Sequence, residues 1–160
     1  MNTFEIRKIT ANDRNDIASF IKDEWGSEII VSRGRIHNVN QLPGFVVKAG
    51  KKIIGLVTYS LENDCEIVTL DSVETGKGLG TQLIEKVKEV AKKEDKKRLW
   101  LITTNDNTNA LMFYQKKGFT IAAIHINEIS NSRKLKPEIP LVGFNSIPIR
   151  DEIELEMQLS

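Results

Sequence analysis

The chain has 160 residues, 40% of them hydrophobic and 28% charged, which suits one globular domain over 1–160 with a core of its own. Lys and Arg number 23 against 22 Asp and Glu, a net charge of +1, so charge gives no case for a nucleic acid, an anionic membrane or a strongly acidic partner. The single cysteine, Cys65, excludes an internal disulfide, Met1 to Ile9 lacks a signal peptide's apolar run, and no stretch approaches the roughly 20 apolar residues that span a bilayer, so a reducing cytoplasm is expected.

Phe4, Ile6 and Ile9 among charges predict an opening strand. Thr10 with Asp13 then makes an approximate capping box before a helix carrying Ile17, Ala18, Phe20 and Ile21. A polar stretch with Trp25, Arg33, Arg35 and His37 follows, in which a second helix is the open reading. Phe45 to Ala49 and Lys52 to Leu61 flank Gly50-Lys51 as a hairpin, and Asn63-Asp64 turns the chain into a third strand, Cys65 to Val73, giving an antiparallel meander. After the glycine-rich segment 74–80, apolar residues at helical spacing (Leu79, Leu83, Ile84, Val87, Val90, Ala91) predict a helix closed by the basic run Lys92 to Arg98. Leu99 to Thr104 reads as a strand, Asn105 to Thr108 as a polar cap, Asn109 to Lys117 as a helix ended by Gly118, and Phe119 to Ile129 as a strand. Ser130 to Asp151, with three prolines, reads as a long loop before a final strand over Ile153 to Leu159. The fold class is α/β, a mixed, mostly antiparallel sheet flanked by helices.

Thr75-Gly-Lys-Gly-Leu-Gly-Thr81 lies between a strand and a helix, where free N–H groups and the positive end of the helix dipole favour an anion, with a ligand-free glycine turn as the plain alternative. Neither Gly-Lys pair is followed by Ser or Thr, against a nucleotide-hydrolysing P-loop, and Thr81 stands where a dinucleotide fingerprint needs its third glycine. Downstream, Asn107-Thr-Asn-Ala-Leu-Met-Phe-Tyr-Gln-Lys-Lys-Gly-Phe119 resembles the acetyltransferase motif N-x-x-A-x-x-F-Y-x-K-x-G-F at every fixed position. Together with T-G-K-G-L-G after a strand, it resembles the acetyl-CoA site of the GNAT N-acetyltransferases over about Phe45 to Glu128. Thr75 departs from the Gln or Arg that opens the family's glycine motif.

The resemblance implies the GNAT fold and transfer of acetyl from acetyl-CoA to a primary amine by direct attack in a ternary complex, with no metal. A non-catalytic acyl-CoA-binding module on the same scaffold is the alternative. The resemblance further implies that Thr75, Gly76, Lys77, Gly78, Leu79, Gly80 and Thr81 hold the pyrophosphate, that Asn107 contacts the pantetheine arm, and that amides near Val73 hold the acetyl carbonyl. It makes Tyr114 the proton donor to the leaving sulfur and Glu66 the general base. Asp71 is the reserve base; an odd separation on one strand predicts that it faces the side opposite Glu66. Plain alternatives stand beside these: Tyr114 packed at a helix edge, Glu66 solvated or paired with a lysine, Asn107 as a helix cap. Phe113, Ala110 and Leu111 read as core, and Cys65 as a small buried hydrophobe. Acceptor choice is expected in segments 24–41 and 130–151, where Trp25, Arg33, Arg35 and His37 each read as surface or interface residues or as receivers of an aromatic or anionic acceptor. The partner is a small-molecule or peptide amine, and a homodimer is left open.

Overall fold

The computed structural model describes residues 5–73 and 78–160. Its main sheet has seven strands in the order β1-β4-β5-β6-β7-β9-β8. In chain order these are β1 (Arg7–Lys8), β4 (Gly44–Ala49), β5 (Lys52–Ser60), β6 (Cys65–Ser72), β7 (Arg98–Thr104), β8 (Thr120–His125) and β9 (Glu152–Gln158). All neighbours are antiparallel except β6 and β7, so the expected meander of β4, β5 and β6 is present. Helix α1 (Arg14–Trp25) lies on one face, called the front; α2 (Leu79–Lys93) and α3 (Thr108–Lys116) lie on the back.

The back carries the larger core. Leu79, Leu83, Ile84, Val87 and Ala91 of α2 fall on one stripe and bury against Val57, Ile67, Leu99, Leu101 and Leu155. Gly55 of β5 is the point of closest approach, because a Cβ there would stand 2.8 Å from Leu79 Cδ2. In front, Ile17 and Ile21 of α1 pack on Val46, Leu56 and Val68. The predicted capping device is present: the Thr10 N–H donates to Asp13 at 2.8 Å, and Gly26 closes α1 in the left-handed region at φ 77°.

Two segments differ from expectation. The stretch before β4 holds a second, two-stranded sheet of β2 (Ile29–Ser32) and β3 (Arg35–Asn38), turned by Arg33-Gly34, where a helix had been the open reading. Segment 130–151 is not wholly loop: β8 stops at His125, and α4 (Glu128–Leu135) starts from Asn127 at φ 62°. Only Ile129 and Ser132 of α4 are buried, so its sequence carries almost no apolar period to read.

Candidate active site

Strands β6 and β7 pair over only three rungs, Cys65 with Leu99, Glu66 with Trp100 and Ile67 with Leu101. Beyond Ile67 the ladder ends, and a cleft of about 700 Å³ opens. Leu70, Asp71 and Ser72 form one wall, Gly78, Leu79, Gly80 and Thr81 of the α2 start another, and Asn107, Asn109, Ala110, Phe113, Tyr114 and Lys117 of α3 a third. The cleft thus brings together both sequence motifs, Gly78–Thr81 and Asn107–Tyr114. Thr75, Gly76 and Lys77 lie outside the described residues.

The glycines at the start of α2 have different tasks. Gly78 caps the helix at φ 72°, a conformation that costs an L-residue about 1–2 kcal/mol. Gly80 admits α3, since a Cβ there would meet the Phe113 ring at 3.2 Å. The first-turn N–H groups of α2 have no intrahelical acceptors, and among the described residues no side chain caps them, so they are donors at the mouth of the cleft. That donor set, with Lys117 and the Asn side chains across the gap, fits the diphosphate and amide-rich arm of a coenzyme A.

Two expectations on β6 change. The Val73 N–H donates to Ile54 O at 3.0 Å, so it is spent on the sheet and cannot hold an acetyl carbonyl. The pairing of Leu70, Asp71 and Ser72 with Val57, Leu56 and Gly55 is unbroken, and N–H directions alternate along a strand. Leu70 therefore turns its N–H toward the opened β7 side. Glu66 and Asp71 share the front face rather than facing opposite sides. A bulge places an extra residue on β6 between Ile67 and Thr69, so their partners are Ser60 and Leu56, an even separation on β5.

Glu66 is 2% exposed and is not among the cleft's lining residues. Ser32 Oγ donates to its Oε2 at 2.6 Å, and its Oε1 lies 3.3 Å from His37 Nε2 without hydrogen-bond alignment. The carboxylate therefore sits under the β2–β3 hairpin. Asp71 lines the cleft, and the Trp25 indole N–H forks onto both its oxygens at 3.1 and 3.0 Å. Burial pushes the Asp71 carboxyl up to about 6, with the Trp25 bond opposing and the Glu24 charge adding to the rise. Burial also raises the Tyr114 phenol, and the Asp71 charge adds to it, so Tyr114 keeps its proton at neutral pH. Its ring stacks edge-on between Phe113 and Phe119.

Asn107 caps α3, its Oδ1 accepting from the Ala110 N–H at 3.2 Å, and it also lines the cleft; the cap and the contact are compatible. Leu111 and Phe113 pack on the core as expected, Phe113 also lines the cleft, and Ala110, expected in the core, lines the cleft. Cys65 is fully buried with its thiol pushed up to about 12 by burial, which leaves no thiolate for covalent chemistry. Sequence reasoning missed the partnership of Trp25 with Asp71, 46 positions apart, and the burial of His37, 6% exposed. A Trp-Gly helix end marks where α1 stops but not what it meets. Among the described residues no group of three or more His, Cys, Asp or Glu is placed to hold a metal, and no helix is long and apolar enough to cross a membrane.

The chain is 44% identical over 145 residues to the uncharacterized protein YxbD of Bacillus subtilis (strain 168), covering 89% of this chain and 91% of that protein. Its fold matches an IAA acetyltransferase from Bacillus cereus ATCC 14579 with TM-score 0.68 and 25% identity, covering 98% of this chain and 100% of that one. It also matches a GNAT family acetyltransferase from Elizabethkingia anophelis with acetyl-CoA bound, TM-score 0.70 at 23% identity, over 99% of this chain and 100% of that one. The acetyltransferase (GNAT) family model matches residues 10–119, a span that includes the cleft and both of its motifs, and the chain belongs to that family.

Proposed function

We propose that this protein transfers acetyl from acetyl-CoA to a primary amine of a small molecule or peptide, by direct attack in a ternary complex, in a reducing cytoplasm. The observation that carries the reading is the convergence of Asp71 and Tyr114 on one cleft whose mouth is the N-terminus of α2. An aliphatic amine is mostly protonated at neutral pH, so attack needs a proton acceptor in front of the thioester and a donor behind it. Asp71, titrating near 6, accepts the ammonium proton; Tyr114, held protonated, gives one to the departing thiolate. The Leu70 N–H, which the strand register turns toward the opened side, receives the oxyanion in this reading. The α2 N–H groups with Gly78, Leu79, Gly80 and Thr81 take the pyrophosphate, as do Thr75, Gly76 and Lys77 by their place in the motif, and Asn107 meets the pantetheine arm. Glu66 is the other candidate base, set back from the cleft.

The test is a thiol-release screen of amines with acetyl-CoA. Release with particular amines, lost in Asp71→Asn, supports the reading. Tight binding of acetyl-CoA without turnover on any amine would make the protein an acyl-CoA-binding module.

A further inference from the structure

Trp25 closes α1 at the front of the sheet and is 41% exposed, an unusual place for a large ring at the end of a helix whose buried stripe is Ile17 and Ile21. Its indole N–H reaches Asp71 and divides between both carboxylate oxygens. Indole nitrogen only donates, so this contact is strongest to the ionised carboxylate and is lost in part when Asp71 takes a proton. Asp71 in turn lines the cleft with Tyr114. From the geometry we infer that Trp25 is the positioning residue for Asp71: its forked bond fixes the carboxylate at the cleft and holds it ready to accept the acceptor's proton. The inference rests on the proposed role of Asp71 as base.

Among the described residues, the charged or titratable groups that face Asp71 are few. Glu24, beside Trp25 on α1, opposes its ionisation, and Tyr114 and Lys117 of α3 stand across the cleft. The Trp25 N–H is the contact among them that favours the carboxylate by direct hydrogen bonding. Removing it therefore leaves burial and Glu24 acting against the charge, and the proton-accepting form becomes scarce at a higher pH. Removing the Glu24 charge acts in the opposite sense.

Two measurements test this. In the protein alone, the ¹⁵N-labelled indole signals number two, from Trp25 and Trp100, and the Trp100 N–H is fixed on Asn63 O at 2.7 Å. The Trp25 signal should titrate with a midpoint near 6, and the titration should vanish in Asp71→Asn while the Trp100 signal stays flat in both. A flat Trp25 signal across about pH 4.5 to 8 overturns the inference whatever the base proves to be. In the acetylation assay, the ratio of Trp25→Phe to wild-type kcat/KM cancels the acceptor's own titration. For a rise of about one unit, that ratio should fall about fivefold at pH 6 and less than twofold at pH 8, with the Glu24→Gln ratio rising at pH 6. A Trp25→Phe ratio independent of pH, in a protein where Asp71→Asn loses turnover, overturns the Trp25 role and leaves Asp71 as base. Undiminished turnover in Asp71→Asn sinks the base reading instead, and with it the catalytic part of the inference.

Discussion

Behind the central strands, α2 and α3 rest on Leu99, Leu101 and Leu155, side chains without polar atoms, and leave main-chain N–H groups facing the cleft. In front of β6 and β9 the buried groups include Glu66 and Glu152, tied to Ser32, Arg33, His37 and Ser132 from the β2–β3 hairpin and α4. Glu152 takes the Arg33 N–H at 3.2 Å, and burial holds its carboxyl above the usual range. The back wall is a generic apolar platform that presents backbone, which suits a coenzyme common to many reactions. The front wall spends buried charge on fixing a hairpin and a helix, an arrangement costly to rebuild. Asp71 and Trp25 stand where the two walls meet.

The comparison breaks most visibly at the back if Gly78 is changed. At φ 72° a glutamate is strained, and its charge enters the space in front of the α2 N–H groups. Coenzyme A at about 100 times its dissociation constant should stabilise the wild type by about 2.7 kcal/mol. Gly78→Glu should abolish that gain in a melting experiment while the unliganded protein still unfolds cooperatively. A full thermal shift in the variant would mean that the anion site is elsewhere.

Next in size is Tyr114→Phe, which keeps the ring between Phe113 and Phe119 and removes only the hydroxyl. Turnover should fall about 10²-fold with the coenzyme-induced melting shift unchanged. If the shift is lost and turnover of bound coenzyme persists, the hydroxyl is part of the binding wall and not of the chemistry.

How far each wall could be read from the sequence follows the same division. The back wall was legible because its elements are periodic and its contacts local: Leu79 to Ala91 shows a 3.6-residue stripe, and the Asn107 to Phe119 motif is contiguous. The front wall was not. Ile30 and His37 are buried by pairing across a hairpin of two four-residue strands with alternation too short to stand out, and α4 buries only two residues. The face of Asp71 was misjudged for a single local reason, the bulge between Ile67 and Thr69, which no residue type in Ile-Val-Thr announces.

Glu66 sharpens the comparison, since a carboxylate that only holds the hairpin should respond differently from the proposed base, Asp71. Glu66→Ala should cost about 2 kcal/mol, because Ser32 and His37 are left buried beside a void. In Glu66→Gln, which keeps the volume, the kcat/KM ratio to wild type should be independent of pH. A defect that grows as pH falls toward full protonation of the amine would return the base role to Glu66.

The smallest expected effect is at Asp13, where α1 is tied to the rest of the front. Its carboxylate takes Arg7 at 2.7 Å and lies 3.2 Å from Lys48 on β4, and the Arg7 hydrogen bond holds it far below the ordinary carboxylate range, against the opposing effect of burial. A group whose folded pKa is depressed contributes stability that is complete above its unfolded value, about 3.9, and is lost as pH falls through the folded value. Asp13→Asn should therefore lower stability at pH 7 by about 1 kcal/mol, with Arg7 half-exposed and screened by water. Below about pH 4 the difference should shrink, as the wild-type carboxylate begins to be protonated with unfolding. Denaturant unfolding at pH 7 and pH 3 measures it. Because α1 carries Trp25 to Asp71, the variant also reports on the junction of the two walls: a Trp25 indole signal that still titrates in Asp13→Asn shows that the contact survives a weakened helix start, whereas its loss would place the anchor of Trp25 at Asp13 and not in the packing of Ile17 and Ile21.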